Sequence, residues 1–142
     1  MEKNEQIIAK KIVEELMLGR DAFSKLLDIQ LVEVKPGFCT VQCVVSNQML
    51  NGFYIAHGGI TYSLSDSALA FASNAHNIKA VSIETSISHL KKVVKGDILT
   101  ATCVEKNLSN KFGVYEVTVT NQADQPVALF KGTVFRTGEK WV

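Results

Sequence analysis

The chain has no Cys-x-x-Cys pair and no His-x-x-x-His pair, and its only cysteines are at 39, 43 and 103. An odd number of cysteines without that spacing fits reduced thiols used as small core residues better than a disulfide framework. With His57, His76 and His89 also outside any ligand spacing, the chain is expected to be cytoplasmic, with no metal and no redox cofactor. Charge of one sign is equally scarce. Fifteen Lys plus Arg against fourteen Asp plus Glu leave +1, which argues against a general nucleic-acid binder that works by neutralising phosphates. No run of about 18 apolar residues occurs, so no membrane span is expected. The opening MEKNEQIIAKKIVEELMLGR mixes acids and bases where a secretory signal needs an apolar stretch of about 7–15 residues. The patterns GxSxG, GxGxxG and GxxxxGK are missing too, which removes serine-hydrolase, dinucleotide and nucleoside-triphosphate readings.

What remains is 142 residues, enough for one domain over 1–142 that buries roughly two thirds of its unfolded surface. From Glu5 to Leu27, apolar residues recur at Ile8, Ile12, Leu16 and Leu18 among charges, as on an amphipathic helix interrupted near Gly19. Residues 1–27 therefore form an N-terminal helix region. Strands are expected over Ile29–Val34 and Gly37–Val45 around a Lys35-Pro36-Gly37 turn, with Cys39, Val41, Cys43 and Val45 facing one way.

After Gly59 the period changes. Ile60, Leu64, Ala68, Phe71 and Ala75 make one helical stripe, while Tyr62, Asp66, Leu69 and Ser73 lie on another side. A helix apolar on most sides is a buried helix. Four β-rich runs follow, Val81–Leu90, Asp97–Lys106, Phe112–Gln122 and Pro126–Arg136, joined by short polar or glycine turns that imply an antiparallel sheet. The layout predicts an α+β hotdog fold, an antiparallel sheet wrapped around a long central helix, preceded by an N-terminal helix.

The stretch from Asn51 to Asn74 carries the chemistry. Gly58 and Gly59 open the central helix, where the first N–H groups have no intrahelical acceptor and the dipole is positive. A carbonyl oxygen that becomes negative would be stabilised there, and the lack of Cβ atoms lets it approach. His57 and Asn51 stand ready to orient the ligand or the loop. Asp66 is the one acid between Ile60 and Ala75, and burying a carboxylate is expensive unless it is paired or used. Its structural alternative is a hydrogen bond to Tyr62 or to a backbone amide. Eight residues of helix separate Gly58 from Asp66 by about 12 Å, so one carbonyl cannot touch both. Either the two features are unrelated, or the site lies between two copies of the chain. A carboxylate aimed at a thioester acts as nucleophile or as general base, and the sequence leaves both open.

Met49-Leu50-Asn51-Gly52, His57-Gly58-Gly59 and Leu64-Ser65-Asp66, with the acid nine residues past the histidine, resemble the hotdog acyl-CoA thioesterases of the phenylacetate-degradation type. The likeness continues through Gly96-Asp97-Ile98-Leu99-Thr100-Ala101 and Val127-Ala128-Leu129-Phe130-Lys131-Gly132. It implies hydrolysis of a small acyl- or aryl-CoA thioester, with coenzyme A part of the substrate and no other cofactor. It also implies Asp66 as the acidic catalyst, the Gly58 amide as oxyanion donor, Asn51 and His57 in support, Ser82 placing the water, and Gly59 and Tyr62 contacting substrate. The active site would be shared across a homodimer that pairs into a homotetramer. Relatives often read basic-Pro after the strand that follows the helix, whereas this chain has His89-Leu90-Lys91-Lys92-Val93. Lys91 and Lys92 are candidates to meet coenzyme A phosphates, and Phe53, Tyr54, Tyr62, Leu69 and Phe112 to shape the acyl pocket. A non-catalytic acyl-CoA-binding protein and a hotdog hydratase or dehydratase are the alternatives.

Overall fold

The computed structural model describes residues 1–142. Helix α1, Glu2–Lys11, runs straight into a wider π-helical segment, Ile12–Leu18, which together bury Ala9, Ile12 and Val13. It stops at Gly19, where a Cβ would come within 2.6 Å of the Glu15 carbonyl. A second short helix, α2, Ala22–Leu26, follows. Asp21 caps it by accepting the Ser24 N–H on Oδ1 at 3.0 Å, satisfying one of the free donors of a helix start. The interruption expected near Gly19 is present, and helix starts at Glu2, three residues ahead of the apolar pattern and within the expected 1–27 region.

Six strands form one antiparallel sheet: β1 Gln30–Lys35, β2 Phe38–Val44, β3 Ile78–His89, β4 Ile98–Leu108, β5 Phe112–Thr120 and β6 Pro126–Lys140. Their order is β1-β2-β4-β5-β6-β3. Strand β3 starts before its expected bound and β6 runs past its own because they pair with each other, from Ile78 opposite Lys140 to His89 opposite Ala128. That ladder supplies backbone hydrogen bonds that residue alternation does not encode.

The central helix α3, Gly58–Asn74, crosses the concave face of this sheet. Leu64, Ala68, Phe71 and Ala72 are fully buried against a floor that includes Cys39, Val41, Leu99, Ala101, Val117 and Val119. Burying a side chain such as Leu64 or Phe71 contributes about 1.5–3 kcal/mol, which is why the apolar stripe holds the helix in place despite little help from propensity. The stripe is as the periodicity predicts, except that Ile60 is only half-buried. Gly132 on β6 lets the sheet approach, since a Cβ there would collide with Leu69. The α+β hotdog architecture thus follows from one apolar helix and one sheet curled around it.

All three cysteines are free and buried, and burial pushes the thiols of Cys39 and Cys43 up to about 12 and 11. They stay protonated at neutral pH and serve as core. No helix is long and apolar enough to cross a membrane. The sheet's two edges differ. Helix α1 packs against β1, whereas β3 has no neighbour on its outer side and leaves Val81 and Ile83 58% and 57% exposed.

Candidate active site

The loop that leads into α3 folds on its own polar groups. Asn51 Oδ1 accepts the N–H groups of Phe53 at 2.9 Å and Ile55 at 3.4 Å, while the Asn51 N–H donates to the Ile55 carbonyl at 2.8 Å. Tyr54 takes a left-handed φ of 62° at its tip. The loop is then fastened on both sides, by Ala56 N–H to the Val93 carbonyl and His57 N–H to the Met49 carbonyl, each 2.8 Å. His57 is the N-cap of α3: its Nδ1 accepts the Gly59 N–H at 2.9 Å, so the neutral ring carries its proton on Nε2. The Ile60 N–H turns back to the His57 carbonyl at 2.9 Å.

These bonds leave the Gly58 N–H with no acceptor in the chain, at the positive end of a 17-residue helix. His89, the last residue of β3, lies over it, so that a Cβ on Gly58 would be 3.1 Å from His89 Nε2. His89 Nδ1 is 3.3 Å from Thr61 Oγ1, which donates to the Gly58 carbonyl at 3.2 Å. The result is a cleft of about 380 Å³ lined by Asn51, His57, Gly58, His89, Lys91 and Lys92 among others, with no acid on its wall. Buried Asp97 stabilises the segment that follows the lysines. Its carboxylate accepts the Val94 N–H and the Gln122 amide, both at 2.9 Å, beside Gly96 at φ 88°. An anion with a polarised carbonyl fits this chemistry: two ammonium groups, a helix N-terminus and one open amide.

Asp66 lies eight residues further along α3, about 12 Å up the axis and about 80° round it. It opens into a different cleft, of about 480 Å³, whose lining includes Met17, Leu69, Ser82, Val134 and Trp141. Burial raises its carboxyl pKa, and the nearby Asp21 charge raises it further. That second acid is held there by structure: Ser24 donates its hydroxyl to Asp21 Oδ2 at 2.6 Å and touches Ser67 on α3 at 2.9 Å. No hydrogen bond offsets the burial of Asp66. The pairing with Tyr62 does not form, because the tyrosine hydroxyl bonds to Thr85 Oγ1 and its ring sits edge-on to Phe130 with centroids 5.4 Å apart. Asp66 is an unpaired carboxyl facing a largely apolar cleft, the arrangement that tunes an acid toward general-base or nucleophilic work.

The structure gathers Asn51, His57, Gly58, Lys91 and Lys92 in the first cleft, and Asp66 with Ser82 in the second. The Gly59 N–H is occupied by its bond to His57, and Tyr62 lines neither cleft. Asn51 uses its side-chain carbonyl to close its own loop, which leaves only its amide nitrogen for a ligand. Of the residues expected to shape a pocket, Leu69 alone lines the Asp66 cleft. Phe53 and Tyr54 are exposed, and Phe112 packs on Phe135 with ring centroids 6.0 Å apart. Sequence reasoning missed His89, Thr61 and Trp141. The indole N–H of Trp141 bonds to Asn74, 67 residues away, a pairing that no local sequence pattern encodes.

Residues 53–128 match the thioesterase superfamily. A protein of Archaeoglobus fulgidus is 40% identical over 96% of this chain and 88% of its own length. The acyl-coenzyme A thioesterase PaaI of Escherichia coli is 38% identical over 86% of this chain and 87% of its own. The solved structure of E. coli PaaI, a protein from the phenylacetic acid degradation operon, superposes with a TM-score of 0.92, covering 95% of this chain and 97% of that one. A Streptococcus mutans protein solved with bound acetyl CoA gives a TM-score of 0.76 at 32% identity, over 79% of this chain and 90% of that one.

Proposed function

The chain belongs to the thioesterase superfamily, and from that premise we propose that it hydrolyses a small acyl- or aryl-CoA thioester, phenylacetyl-CoA being the expected type, to the free acid and coenzyme A. The observation that carries this reading is the separation of the two clefts. One helix presents an open amide at its start and an unpaired carboxyl about 12 Å on, in clefts of opposite chemical character. A single thioester carbonyl reaches both only if the Gly58 half comes from one protomer and the Asp66 half from another. The bare outer edge of β3, with exposed Val81 and Ile83 beside Ser82, is the surface where a second copy adds strand to strand. A dimer of this kind brings two such composite sites together, and its pairing into a tetramer follows the same resemblance.

In the composite site the thioester carbonyl oxygen lies against the Gly58 N–H, where negative charge that develops during attack is met by a fixed dipole. The Asp66 carboxylate of the other protomer faces the carbonyl carbon. As general base it takes a proton from water, the hydroxide adds to the carbon, and collapse of the tetrahedral adduct breaks the C–S bond. The departing thiolate then recovers the proton. As nucleophile, Asp66 expels the thiolate directly and forms a mixed anhydride that water opens. Single turnover in heavy-oxygen water separates these paths, since only the anhydride path can leave label in the Asp66 side chain. Ser82 shares the Asp66 cleft and is suited to orient the water. Lys91 and Lys92 are suited to meet the phosphates of coenzyme A. Reduced, buried thiols fit a cytoplasmic setting.

The test is thiol release from a panel of acyl-CoA esters. Release from a small acyl- or aryl-CoA, lost in Asp66→Asn, supports the reading. Tight acyl-CoA binding with no release by the parent protein would replace it with the non-catalytic alternative.

A further inference from the structure

Within the Asp66 cleft, the residues that α3 contributes are Asp66, Leu69, Ala70, Ser73 and Asn74, a spacing that puts them along one helix face. The face runs about 12 Å from the carboxylate to Asn74. Between those ends the walls are short or apolar side chains, including Ala80 and Val134 from the sheet. Lys79 is the only other charged residue in the cleft, and it lies at the far end, with its Nζ 5.8 Å from the Trp141 ring centroid. The cleft thus runs between a carboxylate at one end and an indole at the other.

That indole is fixed in place. Its Nε1–H donates to Asn74 Oδ1 at 2.9 Å, and the same buried carboxamide also accepts the Ala80 N–H at 2.9 Å and donates to the Ala70 and Ala80 carbonyls at 2.8 and 3.1 Å. Asn74 thereby ties together the end of α3, the start of β3 and the segment after β6. The backbone N–H groups of Trp141 and Val142 both donate to Asn77 Oδ1 at 3.1 Å. A side chain held by its own ring nitrogen and its own backbone is a rigid wall.

We infer that Trp141 is a specificity-determining residue that closes the acyl channel and sets the largest acyl group the enzyme accepts, Asn74 being the positioning residue that holds its ring. The inference rests on the thioesterase reading and assigns the acyl group, short or ring-bearing, to the channel between Asp66 and the indole. Neither residue touches the reacting carbonyl, so size selection and turnover separate.

The experiment measures kcat/KM for acetyl-, butyryl-, phenylacetyl- and dodecanoyl-CoA. The parent protein is compared with Trp141→Ala, which opens the far end, Trp141→Phe, which keeps a ring there, and Ala70→Leu, which narrows the channel one turn past Asp66. Trp141→Ala is expected to raise the dodecanoyl-to-butyryl ratio by at least about ten-fold, because the limit is steric, at the scale by which an apolar pocket discriminates one group in size. Trp141→Phe should leave the ranking as in the parent, and Ala70→Leu should lower the same ratio. Ala70→Leu keeps the inference testable if Trp141→Ala fails to fold. A ratio unchanged in Trp141→Ala, or unchanged in Ala70→Leu, overturns the channel assignment while hydrolysis by the parent leaves the thioesterase reading standing. Absence of thiol release by the parent from all four esters overturns that reading instead, and the inference with it.

Discussion

The two clefts along α3 are built by opposite means. At the helix start, polar groups are satisfied by one another until one is left over: His57 takes the Gly59 N–H, Asn51 takes two loop N–H groups, and the Gly58 N–H remains. Eight residues on, a half-buried carboxyl with no hydrogen-bond partner opens into a cleft lined by Leu69, Val81 and Val134 among others. The first cleft is polar and basic and suits a thioester's oxygen and phosphates. The second is largely apolar, with Asp66 as its one acid. Charge and hydrogen-bond donors select one part of a molecule, and apolar volume with an unpaired base selects another. One helix displays both because its dipole is concentrated in the first turn while its middle is buried.

The largest expected effect removes the carboxylate from the second cleft. Asp66→Asn keeps the shape and is expected to lower kcat by about a thousand-fold, within the range for loss of a positioned base. The same change should raise thermal stability at neutral pH. The Asp66 pKa is raised above its ordinary 3.8, so the folded state binds more protons than the unfolded state and stability falls as pH rises through that interval. The destabilisation is absent well below 3.8, where both states are protonated, and full above the raised value. Melting curves of parent and Asp66→Asn should therefore converge toward low pH and separate toward neutral pH. Curves that stay superimposed at neutral pH would show an Asp66 that is not strained by burial.

In the first cleft, Gly58→Ala is expected to lower kcat by about a hundred-fold, comparable to loss of one oxyanion donor. The new methyl would stand 3.1 Å from His89 Nε2 and fill the approach to the N–H, while the helix itself tolerates alanine. Circular dichroism equal to that of the parent, with turnover also equal, would remove Gly58 from the site. The smallest effects belong to the lysines. Lys91→Ala and Lys92→Ala should each raise KM by about five-fold at most with kcat unchanged, since exposed charges contribute little each and salt screens them. A KM that does not respond to salt in the parent would argue that the phosphates lie elsewhere.

The fold was legible because its signals are periodic. Cys39, Val41, Cys43 and Val45 alternate and are buried, and Leu64, Ala68 and Phe71 follow a helical stripe and are buried. The separation of Gly58 from Asp66 needed only the rise of a helix. The remaining parts of the site depend on groups that the fold brings together from distant segments. His89 meets Thr61 across 28 residues of sequence, and Trp141 meets Asn74 across 67. Tyr62 shares a helical side with Asp66 in the periodic pattern, yet Thr85 on β3 takes its hydroxyl. His57-Gly58-Gly59 forms the start of α3, where the histidine is a structural cap, and by capping Gly59 it leaves the Gly58 N–H open.

The shared site is tested most directly by mixing two variants that are each inactive for a different reason. Asp66→Asn retains an intact Gly58 half, and Gly58→Ala retains an intact Asp66 half. Subunits unfolded and refolded together at equal amounts form heterodimers, each with one site assembled from two good halves. The mixture should regain about a quarter of the parent's activity, because half of the dimers are mixed and each has one working site of two. A mixture no more active than the two variants alone, with heterodimers demonstrated by a mass difference between tagged subunits, would contradict a site built between protomers.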